Sequence, residues 1–488
     1  MKTIRESLAY SALDSYTGLV LQLVGTVIIA RILTPEQTGV FAVAAVFAAL
    51  ASTFRDFGVA EYLIQEPEVS DDTIRASLAV NITVSWIMAV LLFCLAPTLA
   101  SFYRSPGVSD VMRVQSLNFL LIPFGAVTIA WFRREMNFKR IFIIGLLANT
   151  ASTVVGVVLA FLDFGFMSLA WASLAGVIVT VLSSVWLRPV GFPKWPGLKG
   201  VGRVVQFGKF ASGIYIFPQV GKGAPEMIIG WAQNMAEVGM FNRAYGTVEL
   251  FNRLILRSIL PVCLPYFANE AREEGTPRRA LLKTLSYLTT IGWPFMAFLG
   301  VCAYSVIRLL YGPQWMETVP FAKVLCVAGA IELLSYPATE ALLALGKAKE
   351  GNQLQICIQG ARIIGLLAAI PFGLTGACWG LLAASVFGAL LSHRYLTRIV
   401  RLSLLDVVGA LGPSLQVTLI VVIPLIAWVS WMPIDEFNYI AIGVGGGVFC
   451  GLLWIGVLRY LLHPLWYEIK PLAMTATKAI LARIGRGG

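Results

Sequence analysis

The sequence predicts an all-α polytopic membrane protein of about 14 transmembrane helices, built as two six-helix lobes plus two extra C-terminal helices. Three observations predict it. First, 58% of the 488 residues are hydrophobic and only 13% are charged, against roughly half and a quarter in soluble domains, and the mean hydropathy is +0.79. Second, the apolar residues come in runs of about 20, the length that crosses a bilayer as a helix. Third, two short patterns recur. Thr38-Gly39-Val40-Phe41 returns 200 positions later as Val238-Gly239-Met240-Phe241, and the stretch from Phe164-Gly165 to Trp171 returns 208 positions later from Phe372-Gly373 to Trp379.

Taken in order, runs bounded by charges, Pro or Gly lie near 10–33, 38–60, 77–100, 114–132, 141–162, 165–187, 208–232, 247–267, 280–304, 319–345, 352–372, 374–398, 407–430 and 437–461. The first follows Lys2 and Arg5 and is succeeded by many more, so it reads as a first transmembrane helix rather than a cleaved signal. Between the first two runs, Pro35 and Gly39 suit a short turn joining antiparallel helices. The eighth run is polar, with Glu249, Arg253 and Arg257, and the eleventh and twelfth are separated only around Phe372. The first echo joins helices 1 and 2 to 7 and 8, and the second joins 5 and 6 to 11 and 12. Both give a six-helix unit, and an even unit implies halves of the same orientation, related by an axis along the membrane normal. The expected domains are an N-terminal lobe over 1–190, an interfacial linker over 191–207, a C-terminal lobe over 208–400, helices 13 and 14 over 401–462 and a basic tail over 463–488.

Short cytoplasmic loops collect Lys and Arg. With the N-terminus inside, most of the 37 basic residues fall on the cytoplasmic side, whereas Arg31, Arg104, Arg113, Arg243, Arg308 and Lys323 fall outside. A multi-pass membrane protein with both termini in the cytoplasm is therefore expected. Its net charge of +11 faces anionic headgroups rather than nucleic acid. The stretches Lys194 to Phe210 and Pro464 to Arg486 mix cations with Trp and aliphatic residues and suit an interfacial position.

Absences narrow the function. The chain has no G-x-x-x-x-G-K-[ST] loop for nucleotide phosphates and no H-E-x-x-H helix, and its seven cysteines lie scattered, mostly in apolar runs. Outward loops are short, which argues against a membrane enzyme with a catalytic extramembrane region. No cofactor or metal is expected. The remaining signal is charge inside apolar runs, where an ion faces a cavity or a partner. Arg253 and Arg257 lie four apart on one helix face and repel unless an anion meets them, or unless Glu249 neutralises the first. Lys222 and Glu226 have the same spacing. Arg55 and Asp56 are adjacent, so they point to different faces and are poorly placed to pair. Arg362 has no acidic partner at helical spacing. Arg55, Lys222, Arg253, Arg257 and Arg362 are the candidate anion contacts. The carboxylates Asp14, Asp56, Glu226, Glu249, Glu332 and Glu340 are candidates for H+ or Na+ coupling or for inter-helix pairing with these cations.

The stretch Ala30-Arg31-Ile32-Leu33-Thr34-Pro35-Glu36-Gln37-Thr38-Gly39-Val40-Phe41, followed by Arg55-Asp56-Phe57-Gly58, resembles the opening of bacterial polysaccharide-transport proteins, the Wzx-type and especially WzxC-like oligosaccharide flippases. The likeness continues through Phe241-Asn242-Arg243-Ala244, Pro261 to Ala268, Leu310-Tyr311-Gly312-Pro313-Gln314-Trp315 and Leu345-Gly346-Lys347. Such proteins belong to the multidrug/oligosaccharidyl-lipid/polysaccharide exporter superfamily, with the MATE antiporters and the lipid II flippase MurJ. The resemblance implies two lobes facing each other in a V, a central cationic cavity, and transfer of undecaprenyl-pyrophosphate-linked oligosaccharide between leaflets. It also implies membrane lipids and polysaccharide polymerase or co-polymerase proteins as partners. Asp14 in helix 1 departs from the family pattern. The rival readings are a MATE-like antiporter for small cations, a MurJ-like lipid II flippase and a non-transporting scaffold.

Overall fold

The computed structural model describes residues 4–56, 58–432, 438–468 and 470, which are helical without a single strand. Most of the stretch Pro464 to Arg486 lies outside them. Ten helices among the described residues are long and apolar enough to cross a membrane, or up to 11 when a bent pair counts as one span. Fourteen were expected, and polar or broken helices account for the difference. The chain divides into two compact units, each described by itself.

The first unit holds residues Met1–Arg243, Leu310–Glu317 and Leu366–Ala377. It opens with α1 (Ile4–Ala30), α2 (Pro35–Asp56), the short α3 (Val59–Gln65) and α4 (Asp71–Phe102). Then come α5 (Pro106–Leu121) and α6 (Pro123–Arg134), bent 54° apart, because Pro123 supplies no backbone donor and its ring obstructs the preceding turn. α7 (Phe138–Phe161) and α8 (Met167–Trp186) form an antiparallel hairpin, with Gly156 facing Ala172 and Gly176 facing Ser152. The last long helix is α9 (Val201–Ala232), which carries Pro218 and Pro225 in its interior. It packs on α2 and α4, so the helix that opens the second half of the repeat belongs to this unit.

The two echoed corners meet here. α10 (Met235–Phe251) begins against the start of α2. A Cβ on Gly39 would fall onto the Met235 carbonyl oxygen, and one on Gly239 onto that of Pro35. Only glycine lets two backbones come this close. The end of α1 is tied to the same region. Trp315, fully buried, donates its indole N–H to the Ala30 carbonyl at 2.8 Å, and the Gln314 amide donates to the same oxygen at 2.8 Å. That carbonyl is one of the orphan acceptors at a helix C-terminus. The Arg243 guanidinium lies 5.3 Å from the Tyr311 ring centre and 5.2 Å from that of Trp315.

The second unit holds Ala244–Leu309, Thr318–Gly365 and Cys378–Gly488. After α10 the backbone widens into a π-helical turn, Asn252–Leu256, before α11 (Arg257–Glu274). Pro261 and Pro265 follow within α11. Pro261 cannot donate to the Arg257 carbonyl four residues back, which loosens the helix beside the π turn. α12 (Arg278–Val301), α13 (Ala303–Tyr311), α14 (Val319–Glu332) and α15 (Tyr336–Ala344) come next. Leu333–Ser335 and Pro337, at the start of α15, divide what the sequence suggests is one span. α16 (Ala348–Ala369) and α17 (Gly373–Val400) fold back on each other. A Cβ on Gly365 would meet the Gly380 carbonyl at 2.8 Å, and one on Gly388 would meet Ile358 at 3.6 Å. These contacts pair residues symmetrically about Phe372, which places the turn where the sequence predicts it. α18 (Leu404–Trp431), α19 (Asn438–Ile440) and α20 (Gly446–Tyr460) complete the unit. α12 and α18 are joined through a buried hydroxyl cluster. The Thr290 and Ser414 hydroxyls lie 2.8 Å apart, and Thr290 lies 3.2 Å from His463 Nε2.

Candidate functional site

Helix breaks gather polar side chains in the second unit. The π turn carries Asn252 and Arg253, the α14–α15 break presents Glu332 and Tyr336, and Arg362 and Ser385 come from α16 and α17. Glu332 Oε1 lies 3.6 Å from Arg362 Nη1 and accepts the Ser385 hydroxyl at 3.2 Å. The Arg362 guanidinium sits 5.9 Å from the Tyr245 ring centre. Its side chain is only 12% exposed, and its Nε–H has no acceptor. The Tyr336 hydroxyl lies 3.5 Å from the Asn252 amide oxygen, and the Asn252 amide nitrogen donates to Glu249 Oε2 at 2.6 Å. An ion pair at 3.6 Å in a half-wet interior is held loosely, and an Arg with an unused donor can take a further acceptor.

The sequence leaves Arg362 without an acidic partner at helical spacing, and the structure supplies one from another helix, Glu332. The opposite holds for Arg253 and Arg257. Glu249 is engaged by Asn252 rather than by Arg253, and neither arginine has a hydrogen-bonding or ion-pair partner among the described residues. Arg253 is half-buried and Arg257 exposed, so both guanidinium groups can meet an anion. Glu340 is half-buried on α15 and likewise lacks a protein partner among the described residues.

The remaining candidates lie in the first unit. Arg55 and Asp56 are bonded to each other, Nε to Oδ1 at 3.0 Å, with the Arg55 guanidinium 5.9 Å from the Phe119 ring centre. This corrects the expectation that these two neighbours are poorly placed to pair. α2 ends at Asp56, ahead of Gly58 with φ of 64°, so the aspartate is not held to the helical repeat and folds back onto its neighbour. Lys222 is exposed while Glu226 is buried, and Lys222 makes no ion pair among the described residues. The spacing of four therefore does not join them. Asp14 sits where α1 crosses α7, with its carboxylate against Gly145.

Tyr245, Asn252, Tyr336 and Ser385 are cluster members that charge reading along the sequence passes over. They are neutral, and an uncharged polar residue inside an apolar run is too common to mark a site. The useful signals would have been Pro261 and Pro337, which break the helices that present them.

The profile of the family described as polysaccharide biosynthesis protein matches residues 28–320, more than half of the chain. The chain belongs to this family. Among the relatives of this family member, the lipopolysaccharide biosynthesis protein WzxC of Escherichia coli is 25% identical over 341 residues, covering 69% of this chain and 68% of that protein. The teichuronic acid biosynthesis protein TuaB of Bacillus subtilis is 22% identical over 417 residues, covering 83% and 84%. The succinoglycan biosynthesis transport protein ExoT of Rhizobium meliloti is 24% identical over 336 residues, covering 68% and 67%. In fold, the chain is similar to the lipid II flippase MurJ in an inward closed conformation, with a TM-score of 0.72 over 93% of this chain and all of the other at 15% identity. It is also similar to an inward-facing MATE family transporter of the MOP superfamily, with a TM-score of 0.60 over 79% and 96% at 15% identity. These likenesses establish an all-helical, multi-pass membrane fold of the MOP type.

Proposed function

We propose that the protein is a flippase that carries undecaprenyl-pyrophosphate-linked oligosaccharide repeat units from the cytoplasmic to the periplasmic leaflet of a bacterial inner membrane, for export as a surface polysaccharide. The observation that carries this reading is the pair Arg253, in the π turn, and Arg257, directly after it, neither of which has a protein partner among the described residues. Guanidinium forks pair with phosphate oxygens in a bidentate way, and a π turn inside an α-helix often marks a functional position. Family membership and relatives named for polysaccharide biosynthesis or transport give the cargo class.

In this reading the chain has 14 spans in two six-helix lobes with two further helices, and both termini are cytoplasmic. The count is reached when α16 and α17 are taken as separate spans and α9, the bent α5–α6 pair and the polar α10–α11 helix are added to the apolar ones. The two lobes alternate access to the pyrophosphate. Arg253 and Arg257 receive it with Arg362 as a secondary contact, and Arg55 and Lys222 are the candidate anion contacts of the first unit. Movement is coupled to H+ or Na+ through buried carboxylates, of which Glu332 exchanges partners with Arg362. A polymerase and co-polymerase receive the cargo. A MATE-like antiporter would need acidic or aromatic groups facing a cationic drug; Glu340 is one unpartnered acid among the described residues, but the unpartnered groups at the π turn are Arg253 and Arg257.

The test is reconstitution of the purified protein in liposomes that carry lipid-linked oligosaccharide in one leaflet, with a membrane-impermeant reagent reading the sugar in the other. The expected outcome is protein-dependent transfer of the glycan. Transfer of a fluorescent organic cation with no transfer of glycan would overturn the reading in favour of an antiporter.

A further inference from the structure

An apolar crevice of about 630 Å³ lies between α12, α14 and α18 of the second unit. None of the candidate anion contacts lines it. Small residues open it. Ala297 and Gly300 form one wall and Ala330 another, while Trp293 is fixed against the α14 wall by its indole N–H, which donates to the Ala330 carbonyl at 3.0 Å. The rim residues Val327 and Leu415 are 52% and 49% exposed. The crevice runs along α12 from Trp293 to Val301 and along α14 from Lys323 to Ile331. Each strip is nine residues long, and its eight rises of 1.5 Å make about 12 Å. A single leaflet of hydrocarbon is about 15 Å deep, so the crevice has the depth of one leaflet.

Its charge is one-sided. Lys323 is the only residue in the lining that carries a charge near neutral pH. It is exposed, has no partner among the described residues, and stands one turn inside the α14 N-terminus, at one end of the crevice. A hydrocarbon slot of one-leaflet depth with an unpaired ammonium at its polar end is complementary to one chain of an anionic lipid. We infer that this crevice binds a resident anionic phospholipid from the leaflet at the α14 N-terminus, with one acyl chain in the slot and the headgroup phosphate on Lys323. A basic residue near a membrane surface favours an anionic over a zwitterionic headgroup by about fivefold, and that ratio is the expected preference.

The test uses the full-length protein in mild detergent and native mass spectrometry, titrated with phosphatidylglycerol, with phosphatidylcholine of the same chains, and with undecaprenyl phosphate. One phosphatidylglycerol should be retained about five times better than phosphatidylcholine. Lys323→Gln should remove the preference and keep the weaker binding. Ala330→Phe, which fills the slot, should remove the retained lipid altogether. If Ala330→Phe lowers the melting temperature, Gly300→Leu serves instead, since a side chain there meets only Cys326 at 3.6 Å. Retention of phosphatidylglycerol unchanged in the slot-filling variant, or a preference unchanged by Lys323→Gln, overturns the inference. Displacement of phosphatidylglycerol by equimolar undecaprenyl phosphate also overturns it, and assigns the slot to the lipid carrier.

Discussion

The seam at Gly39 and Gly239 and the cluster around Arg362 treat polar groups in opposite ways. In the seam, helix starts touch backbone to backbone, two donors converge on the Ala30 carbonyl, and the Arg243 cation is covered by two aromatic faces. In the cluster, helices break at a π turn and at Leu333–Ser335, the ion pair is 3.6 Å long, and Arg253 and Arg257 have no protein partner among the described residues. The first arrangement is tightly fitted backbone to backbone, with the buried Thr38 hydroxyl, one Glu237 carboxylate oxygen and Arg243 Nε left without a hydrogen-bond partner among the described residues. The second leaves donors unused, as a site that exchanges partners requires.

Four substitutions sharpen that contrast, taken from the largest expected effect to the smallest. Glu332→Ala leaves Arg362 buried without its carboxylate and should lower stability by about 3 kcal/mol or more, whereas the double change Glu332→Leu with Arg362→Met should recover most of it. Melting of the purified protein in detergent reads both, and a single variant as stable as the parent would show that the pair is solvated. Gly239→Ala places a methyl group on the Pro35 carbonyl and should cost about 2 kcal/mol through overpacking. No loss of melting temperature would mean that the two corners do not touch. Trp315→Phe removes one of two donors to the Ala30 carbonyl and should cost about 1 kcal/mol, less than Gly239→Ala because Gln314 still donates. Asp56→Asn breaks a pair whose acid side chain is 66% exposed, and exposed pairs contribute about 0–1 kcal/mol. Its melting temperature should stay within error of the parent, and a large drop would make Arg55–Asp56 a structural tie rather than a surface pair.

The hydrophobic runs, the corner at Pro35 and the tight turn at Phe372 were legible in the sequence, because a bilayer forces apolar length and turn chemistry onto each helix. The repeat of the Gly39 pattern at Gly239 was visible as well. What it meant was not, since nothing in two similar strings says that they pack on each other. Span number was obscured where function and hydrophobicity conflict. The helix with Glu249, Arg253 and Arg257 is too polar to pass as a span, and α5 and α6 are divided by Pro123. Pairing was the least legible feature. Local spacing suggested Glu249 for Arg253 and no partner for Arg362, yet Asn252 takes Glu249 and Glu332 reaches Arg362 from another helix. Partners between helices depend on packing that single-chain spacing does not encode.

The central claim is that Arg253 and Arg257 hold the phosphate of the cargo, and the most direct measurement is the transfer rate in liposomes of the Arg253→Gln, Arg257→Gln protein beside the parent. Neither arginine has a partner to lose among the described residues, so the account predicts an unchanged melting temperature with transfer reduced by at least tenfold, equivalent to about 1.4 kcal/mol or more of lost interaction. Equal transfer by an equally stable double variant would contradict it.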